Sequence, residues 1–223
     1  MNPTPVEHHE ANRKFYDRIS DAYDLLADAN EKAARQSGVK ALNVKPGEKV
    51  LELGFGTGNE VLDLAELVGS TGHVAGIDIS TGMLKVAMKK VSAKQPNVDI
   101  NLKVADARSL PFSDGIFDAV YTSFTLELFP EDDIPRVLAE VKRVLRPGGR
   151  LSVVSMAEVK PGERASALEH VYIWMHRHFP HLVDCRPINP EAVVTAAGFQ
   201  RVSRTDLQIW TMPVAVVVAE KPV

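Results

Sequence analysis

Leu51-Glu52-Leu53-Gly54-Phe55-Gly56-Thr57-Gly58 decides how this chain is read. A short apolar run, Val50 to Leu53, ends in glycines at alternate positions. The segment that follows, Asn59 to Val68, carries Val61, Leu62, Leu64, Ala65 and Val68 at the spacing of one helical face. A strand, a glycine turn and a helix in succession are where parallel α/β sheets bind ligands, beyond the carboxyl ends of their strands. Glycine permits a sharp turn and the close approach of a ligand, but it also serves ordinary tight turns. The loop alone leaves both readings open.

The pattern repeats outward from this loop. Strand-like runs at 72–78, 98–104, 117–123 and 150–156 alternate with helical segments at 81–94 and 134–145. Pro147-Gly148-Gly149 stops the second of these helices. Such alternation predicts an α/β fold, a mostly parallel sheet with helices on both faces. The chain ends differently. Phe199–Ile209 and Pro213–Ala219 are both strand-like and have no room for a crossover helix between them, so they should pair as an antiparallel hairpin.

With 223 residues, the chain reads as one domain over 1–223. Residues 1–45 form a helical N-terminal part, 46–156 the sheet core, 157–189 an insertion rich in His and Arg, and 190–223 the last helix and terminal hairpin. Hydrophobic residues make up 45% and charged residues 25%, as in an ordinary globular protein rather than a disordered or fibrous one. A net charge of −3 argues against a nucleic-acid partner. Cys185, the one cysteine, can make neither an internal disulfide nor a cysteine zinc site, and no metal is expected. Met1 to Glu10 lacks the apolar core of a signal peptide. The apolar run Met212–Ala219 is far below the ~20 residues that span a bilayer. A cytoplasmic location is the expectation.

Acids placed around the loop sharpen its reading. Asp78 ends the second strand, twenty residues after Gly58, where a carboxylate can accept from ribose hydroxyls. Asp106 ends the third strand and could face an adenine amino group, and Glu52 sits just before the loop. A dinucleotide fingerprint would place its third glycine one residue later, and Glu52 and Glu60 would repel a pyrophosphate. The same acids suit a ligand with an ammonium and a sulfonium, and S-adenosylmethionine carries both.

Several stretches resemble the class I S-adenosylmethionine-dependent methyltransferases: Leu51–Gly58, Gly76-Ile77-Asp78-Ile79-Ser80, Ala105-Asp106-Ala107 with Leu110-Pro111-Phe112, and Arg143–Gly149. The resemblance implies a Rossmann-like seven-stranded sheet with S-adenosyl-L-methionine as cofactor. It also implies roles by position. The backbone of Gly54, Gly56 and Gly58 holds the methionine end, and Glu52 lies near the ammonium. Asp78 binds the ribose hydroxyls and Ile79 packs on the adenine. Asp106 accepts from the adenine amino group, the Ala107 backbone meets the ring, and Ser123 lies beside the methyl group.

Within that superfamily, Phe15–Asp24 is similar to the N-terminal segment of the ubiquinone/menaquinone C-methyltransferase group, where it forms a helical lid. Two departures stand out. Leu25-Leu26-Ala27-Asp28 follows Tyr23-Asp24 in place of the group's usual residues, and Ser155 stands where the group carries a glutamate. The resemblance therefore carries the fold and cofactor to this chain, but not the acceptor.

A phenol or quinol acceptor must lose a proton, so a base should be near, whereas an amine need only be neutral. Tyr23, His176 and His178 are the candidates for that base. The insertion around the two histidines reads either as an amphipathic helix covering the sheet edge or as a substrate-pocket lid. The expected partner is a small molecule, phenolic, quinol or lipid-like, and a lipid-like one implies contact with a membrane surface. The alternatives are an amine N-methyltransferase, such as one acting on a phospholipid headgroup, and a non-catalytic cofactor-binding domain.

Overall fold

The computed structural model describes residues 31–158, 186–209 and 212–223. Helix α1 is described over 31–42. Then come β1 (Lys49–Leu53), α2 (Asn59–Val68), β2 (His73–Asp78), α3 (Thr81–Lys94), β3 (Asp99–Val104) and β4 (Phe117–Ser123). The chain continues through α4 (Ile134–Val144), β5 (Leu145–Met156), α5 (Pro190–Ala196), β6 (Gln200–Ile209) and β7 (Met212–Glu220). The seven strands form one sheet in the order β3-β2-β1-β4-β5-β7-β6. Neighbours from β3 through β5 pair parallel, and β7 pairs antiparallel with both β5 and β6. The expected mostly parallel sheet with a terminal hairpin is what forms.

The strand order reverses beside β1: β2 and β3 extend to one side, while β4 lies on the other. Loops leaving β1 and β4 diverge there and open a crevice at the carboxyl edge. The glycine loop leaves from that point.

Side chains of β1 alternate between two cores. Leu51 and Leu53 join Ile77, Val120, Leu138 and Val153 on the face covered by α4 and α5. Val50 joins Leu42, Leu64, Val74, Ala119, Tyr121 and Val154 on the face covered by α1, α2 and α3. Burial on both faces explains why the central strands read as nearly continuous apolar runs. Glu52 is the exception: it belongs to the α1/α2 face by alternation and is 1% exposed.

One boundary differs from the expectation. β5 begins at Leu145, so Pro147-Gly148-Gly149 lies within the strand rather than before it. Leu145 pairs with Phe117, the register then shifts, and pairing resumes at Arg150 opposite Ala119. The glycines absorb this irregularity. Gly148 has φ +70°, and a Cβ on Gly149 would lie 2.8 Å from the Arg146 carbonyl oxygen.

Helix α1 is pressed against the ends of β4 and β5. The Tyr121 hydroxyl donates to the Arg35 carbonyl at 2.9 Å, and Ser152 Oγ to the Gly38 carbonyl at 3.0 Å. A Cβ on Gly38 would collide with Val154 and lie 3.0 Å from Tyr121 Cε2. Gly38→Ala should therefore destabilise the fold, because overpacking of about 1–3 kcal/mol outweighs the roughly 0.5–1 kcal/mol gained in helix propensity. A lowered melting temperature in calorimetry checks this; an unchanged or higher one would show that α1 can back away.

Candidate functional site

The glycine loop is built by left-handed backbone. Gly54, Gly56 and Gly58 have φ of +70°, +50° and +81°. Two of the three are also sterically required. A Cβ on Gly54 would strike the Thr125 side chain, and one on Gly58 would lie 2.9 Å from the Ala87 Cβ. Among the described residues, nothing lies within 4 Å of such an atom at Gly56. There a ligand can meet bare backbone.

Asp78 is fixed by two backbone amides. The Gly56 N–H donates to Oδ2 at 2.9 Å and the Ser80 N–H to Oδ1 at 2.8 Å. A carboxylate oxygen has two lone-pair directions, so it can accept more than one hydrogen bond. The next residue, Ile79, is half-buried. Ser80 caps α3 by accepting from the Met83 amide at 3.0 Å. On the other side of the loop, Lys90 of α3 donates to Thr57 Oγ1 at 3.1 Å and Asn59 Oδ1 at 2.8 Å.

Glu52 is buried below the loop, and its Oε2 has no hydrogen-bond partner. Burial, then the neighbouring charges of Glu60 and Asp78, push its carboxyl well above the usual range, against the pull of Arg35. Arg35 itself pairs with Glu31 and Glu60, each at 3.0 Å. Glu31, Glu52, Glu60 and Asp78 thus outnumber the two cations around the loop, Arg35 and Lys90. The arrangement suits a ligand bringing positive charge and donors, and it opposes a polyphosphate.

Asp106 follows β3 and is held by Arg108, whose part no sequence motif marks. The Arg108 backbone amide and guanidinium give four hydrogen bonds to the Asp106 carboxylate, at 2.7 to 3.1 Å. Arg108 also reaches Asp133 at 3.0 Å. Ala107, between them, is 5% exposed. Glu52, Gly54, Gly56, Gly58, Asp78, Ile79, Asp106, Ala107 and Ser123 are thereby gathered along the carboxyl ends of β1 to β4. Asp118, near the start of β4, accepts from the Lys49 amide at 2.7 Å and pairs with Arg146 at 2.6 Å, so it belongs to the opposite edge of the sheet.

The turn after β4 adds two further features. Phe124, a non-glycine residue, has φ +46°, a strained conformation of the kind that gathers at functional sites. Glu127 is 1% exposed. Its Oε1 accepts from the Met156 amide at 3.0 Å, while Oε2 has no partner. Burial raises its pKa to about 7 even though the Met156 amide favours the carboxylate. In the sequence it stands as a turn acid within Phe124-Thr125-Leu126-Glu127-Leu128-Phe129, and nothing in that stretch shows its burial. Tyr23, His176 and His178, and with them the N-terminal lid and most of the insertion, lie outside the described residues. Among the described residues, no group of acids, histidines or cysteines could hold a metal, and no helix is long and apolar enough to cross a membrane.

Comparison with known proteins identifies the family. A methyltransferase domain family matches residues 50–149. The chain is 34% identical over 187 residues to the demethylmenaquinone methyltransferase of Symbiobacterium thermophilum, covering 82% of this chain and 72% of that protein. It is 36% identical over 146 residues to the 2-phytyl-1,4-naphtoquinone methyltransferase of Trichormus variabilis, covering 64% of this chain and 63% of that one. Among solved structures, the [4+2]-cyclase SpnF superposes with a TM-score of 0.76 at 18% identity, covering 99% of this chain and 97% of that one. At that identity the likeness speaks for the fold alone.

The buried acid in the β4 turn has a thermodynamic signature. A carboxyl whose folded pKa is near 7, against an ordinary 4.5, favours folding most below pH 4.5, and that advantage is lost as pH rises towards 7. The shift corresponds to on the order of 3 kcal/mol. Glu127→Gln keeps an acceptor for the Met156 amide and removes the titration. Denaturant unfolding as a function of pH should show a flatter curve for the variant, and the variant should be the more stable at pH 8. Parallel curves would mean that Glu127 titrates normally.

Proposed function

Because the chain belongs to the S-adenosylmethionine-dependent methyltransferases, we propose that it methylates a small aromatic acceptor of the phenol or quinol type. One observation carries the cofactor half of this reading: the buried, unpartnered Glu52 oxygen beneath a glycine loop whose central member has no described residue within 4 Å of where a Cβ would sit. A buried polar atom without a partner calls for an explanation, and an ammonium, directly or through water, supplies one. The acceptor half is supported by the quinone methyltransferases to which the chain is similar.

In this reading the backbone of Gly54, Gly56 and Gly58 cradles the methionine end, and Glu52 faces the ammonium. Asp78, already oriented by two amides, accepts from both ribose hydroxyls. Ile79 packs on the adenine, the Ala107 backbone borders the ring, and Asp106 accepts from the amino group. The role of Arg108 is to hold Asp106 in one rotamer. Ser123 lies beside the methyl group. When bound, the cofactor supplies an electrophilic methyl on a sulfonium, and the chain supplies alignment and exclusion of water.

Two measurements test the cofactor site. Asp78→Ala removes two hydrogen bonds to a charged acceptor, each worth roughly 1.5–3 kcal/mol, so S-adenosylhomocysteine affinity should fall at least about tenfold by calorimetry. A folded variant with unchanged affinity would remove Asp78 from the ribose site. A ligand ammonium favours the ionised form of Glu52, whose pKa is raised, so binding should release protons and tighten as pH rises. Calorimetry in buffers of different ionisation enthalpy reads that release, and Glu52→Gln should reduce it. A third measurement tests the acceptor class: transfer of labelled methyl to naphthoquinols and phenols on one side and to ethanolamine phosphates on the other. Label only in the amines would replace the aromatic acceptor with an amine.

A further inference from the structure

We propose that Glu127 is the base that removes the hydroxyl proton of the acceptor, an inference that rests on the phenol or quinol reading above. Apart from Ser123 at the end of β4, the residues assigned above to the cofactor lie at the carboxyl ends of β1, β2 and β3, one side of the point where strand order reverses. Methyl transfer is an in-line displacement, so the nucleophile must approach from the side opposite the sulfur. The carboxyl ends of β4 and β5 border that side, and Glu127 sits between them. Its chain position is two residues from Thr125, whose side chain abuts Gly54.

Three features make this carboxyl group fit to work as a base. First, it is held: Oε1 is anchored to the Met156 amide at the end of β5. Second, it has a vacant acceptor: Oε2 is buried and unpartnered. Third, no ion pair neutralises it among the described residues. The groups around it are Glu31 of α1, which opposes its ionisation, the Ser155 hydroxyl, which favours it, and Arg186, whose amide donates to the Glu127 carbonyl. The Arg186 guanidinium is engaged with Glu131 at 2.8 Å, and Asp133 is engaged with Arg108. A pKa near 7 suits a base at neutral pH. Glu127 thus brings a carboxyl group from the turn after β4 to Ser155 and Met156 at the end of β5.

The step balances. Oε2 takes the hydroxyl proton, and the electron pair left on oxygen attacks the methyl carbon, directly or through the ring. The methyl–sulfur bond breaks with its electrons remaining on sulfur, now a neutral thioether. Where the ring carbon is the nucleophile, its own hydrogen departs as a proton and the hydroxyl is restored. One proton per turnover passes to solvent.

The test compares wild type, Glu127→Gln and Glu127→Asp, with a short-prenyl 1,4-naphthoquinol as acceptor. The wild-type kcat should rise with pH through about 7. Glu127→Gln should lose at least about 100-fold in kcat and lack that limb, with S-adenosylhomocysteine affinity kept within about twofold. Glu127→Asp should keep the limb at a reduced rate. Without any acceptor, infrared spectroscopy of the wild type should show a protonated-carboxyl band that disappears near neutral pH and is absent from Glu127→Gln. An equal rate in Glu127→Gln, a flat wild-type profile, or no such band each overturns the proposal, the last two even if the variants fail to fold. If wild type binds S-adenosylhomocysteine but methylates no hydroxyl-bearing acceptor, the acceptor reading falls and the base falls with it. If wild type methylates the naphthoquinol and Glu127→Gln matches it, only the base falls.

Discussion

The hydrogen bond from the Gly56 amide to the Asp78 carboxylate joins the two strand ends on which the site depends. It can form only because Gly56 adopts φ +50° and turns its N–H towards β2. The loop is confined on either flank, by Thr125 at Gly54 and by Ala87 at Gly58. The chain therefore reaches Asp78 with little freedom left, and Asp78 in turn loses its rotamer freedom before any ligand arrives. Ordering that would otherwise be charged against binding is completed during folding. The same logic applies to Asp106, which Arg108 locks from the neighbouring turn.

Preorganisation of this kind has an electrostatic cost. Glu52 and Glu127 are both buried acids with an oxygen left unpartnered. Each such group costs on the order of 1–3 kcal/mol in desolvation. Neither is needed for packing, since apolar residues of similar size would fill the same volumes. Both lie at the carboxyl edge of the sheet, where ligands bind in open α/β folds. Destabilising polar groups concentrated on that edge are what a binding site looks like before its ligand is added.

Most of the fold was legible because parallel strands buried on both faces announce themselves as apolar runs, and α2 and α3 begin and end where their periodicity does. The start of β5 was not. Pro147-Gly148-Gly149 carries every sign of a turn, and only tertiary pairing of Leu145 with Phe117 draws it into the strand. The cofactor-side acids were legible from spacing, because strand ends recur at fixed intervals in this topology. Arg108 and Glu127 were not, since their roles come from contacts across the sheet rather than from sequence neighbours. Arg108 reads as a surface cation until Asp106 and Asp133 close around it. Glu127 reads as a turn acid until the Met156 amide, 29 residues away, claims one of its oxygens.

The two unpartnered oxygens also differ in a way that separates their tasks. Glu52 sits among other carboxylates, so its ionised form is disfavoured by charge as well as by burial, and a cation relieves both. Glu127 is disfavoured chiefly by burial and is partly compensated by backbone and hydroxyl donors, which leaves it balanced near neutral pH. A group of the first kind binds a permanent charge. A group of the second kind changes protonation state readily, because neither form is strongly preferred. The fold places the first beneath the glycine loop and the second across the reversal in strand order, so the two carboxyl groups occupy opposite sides of that reversal.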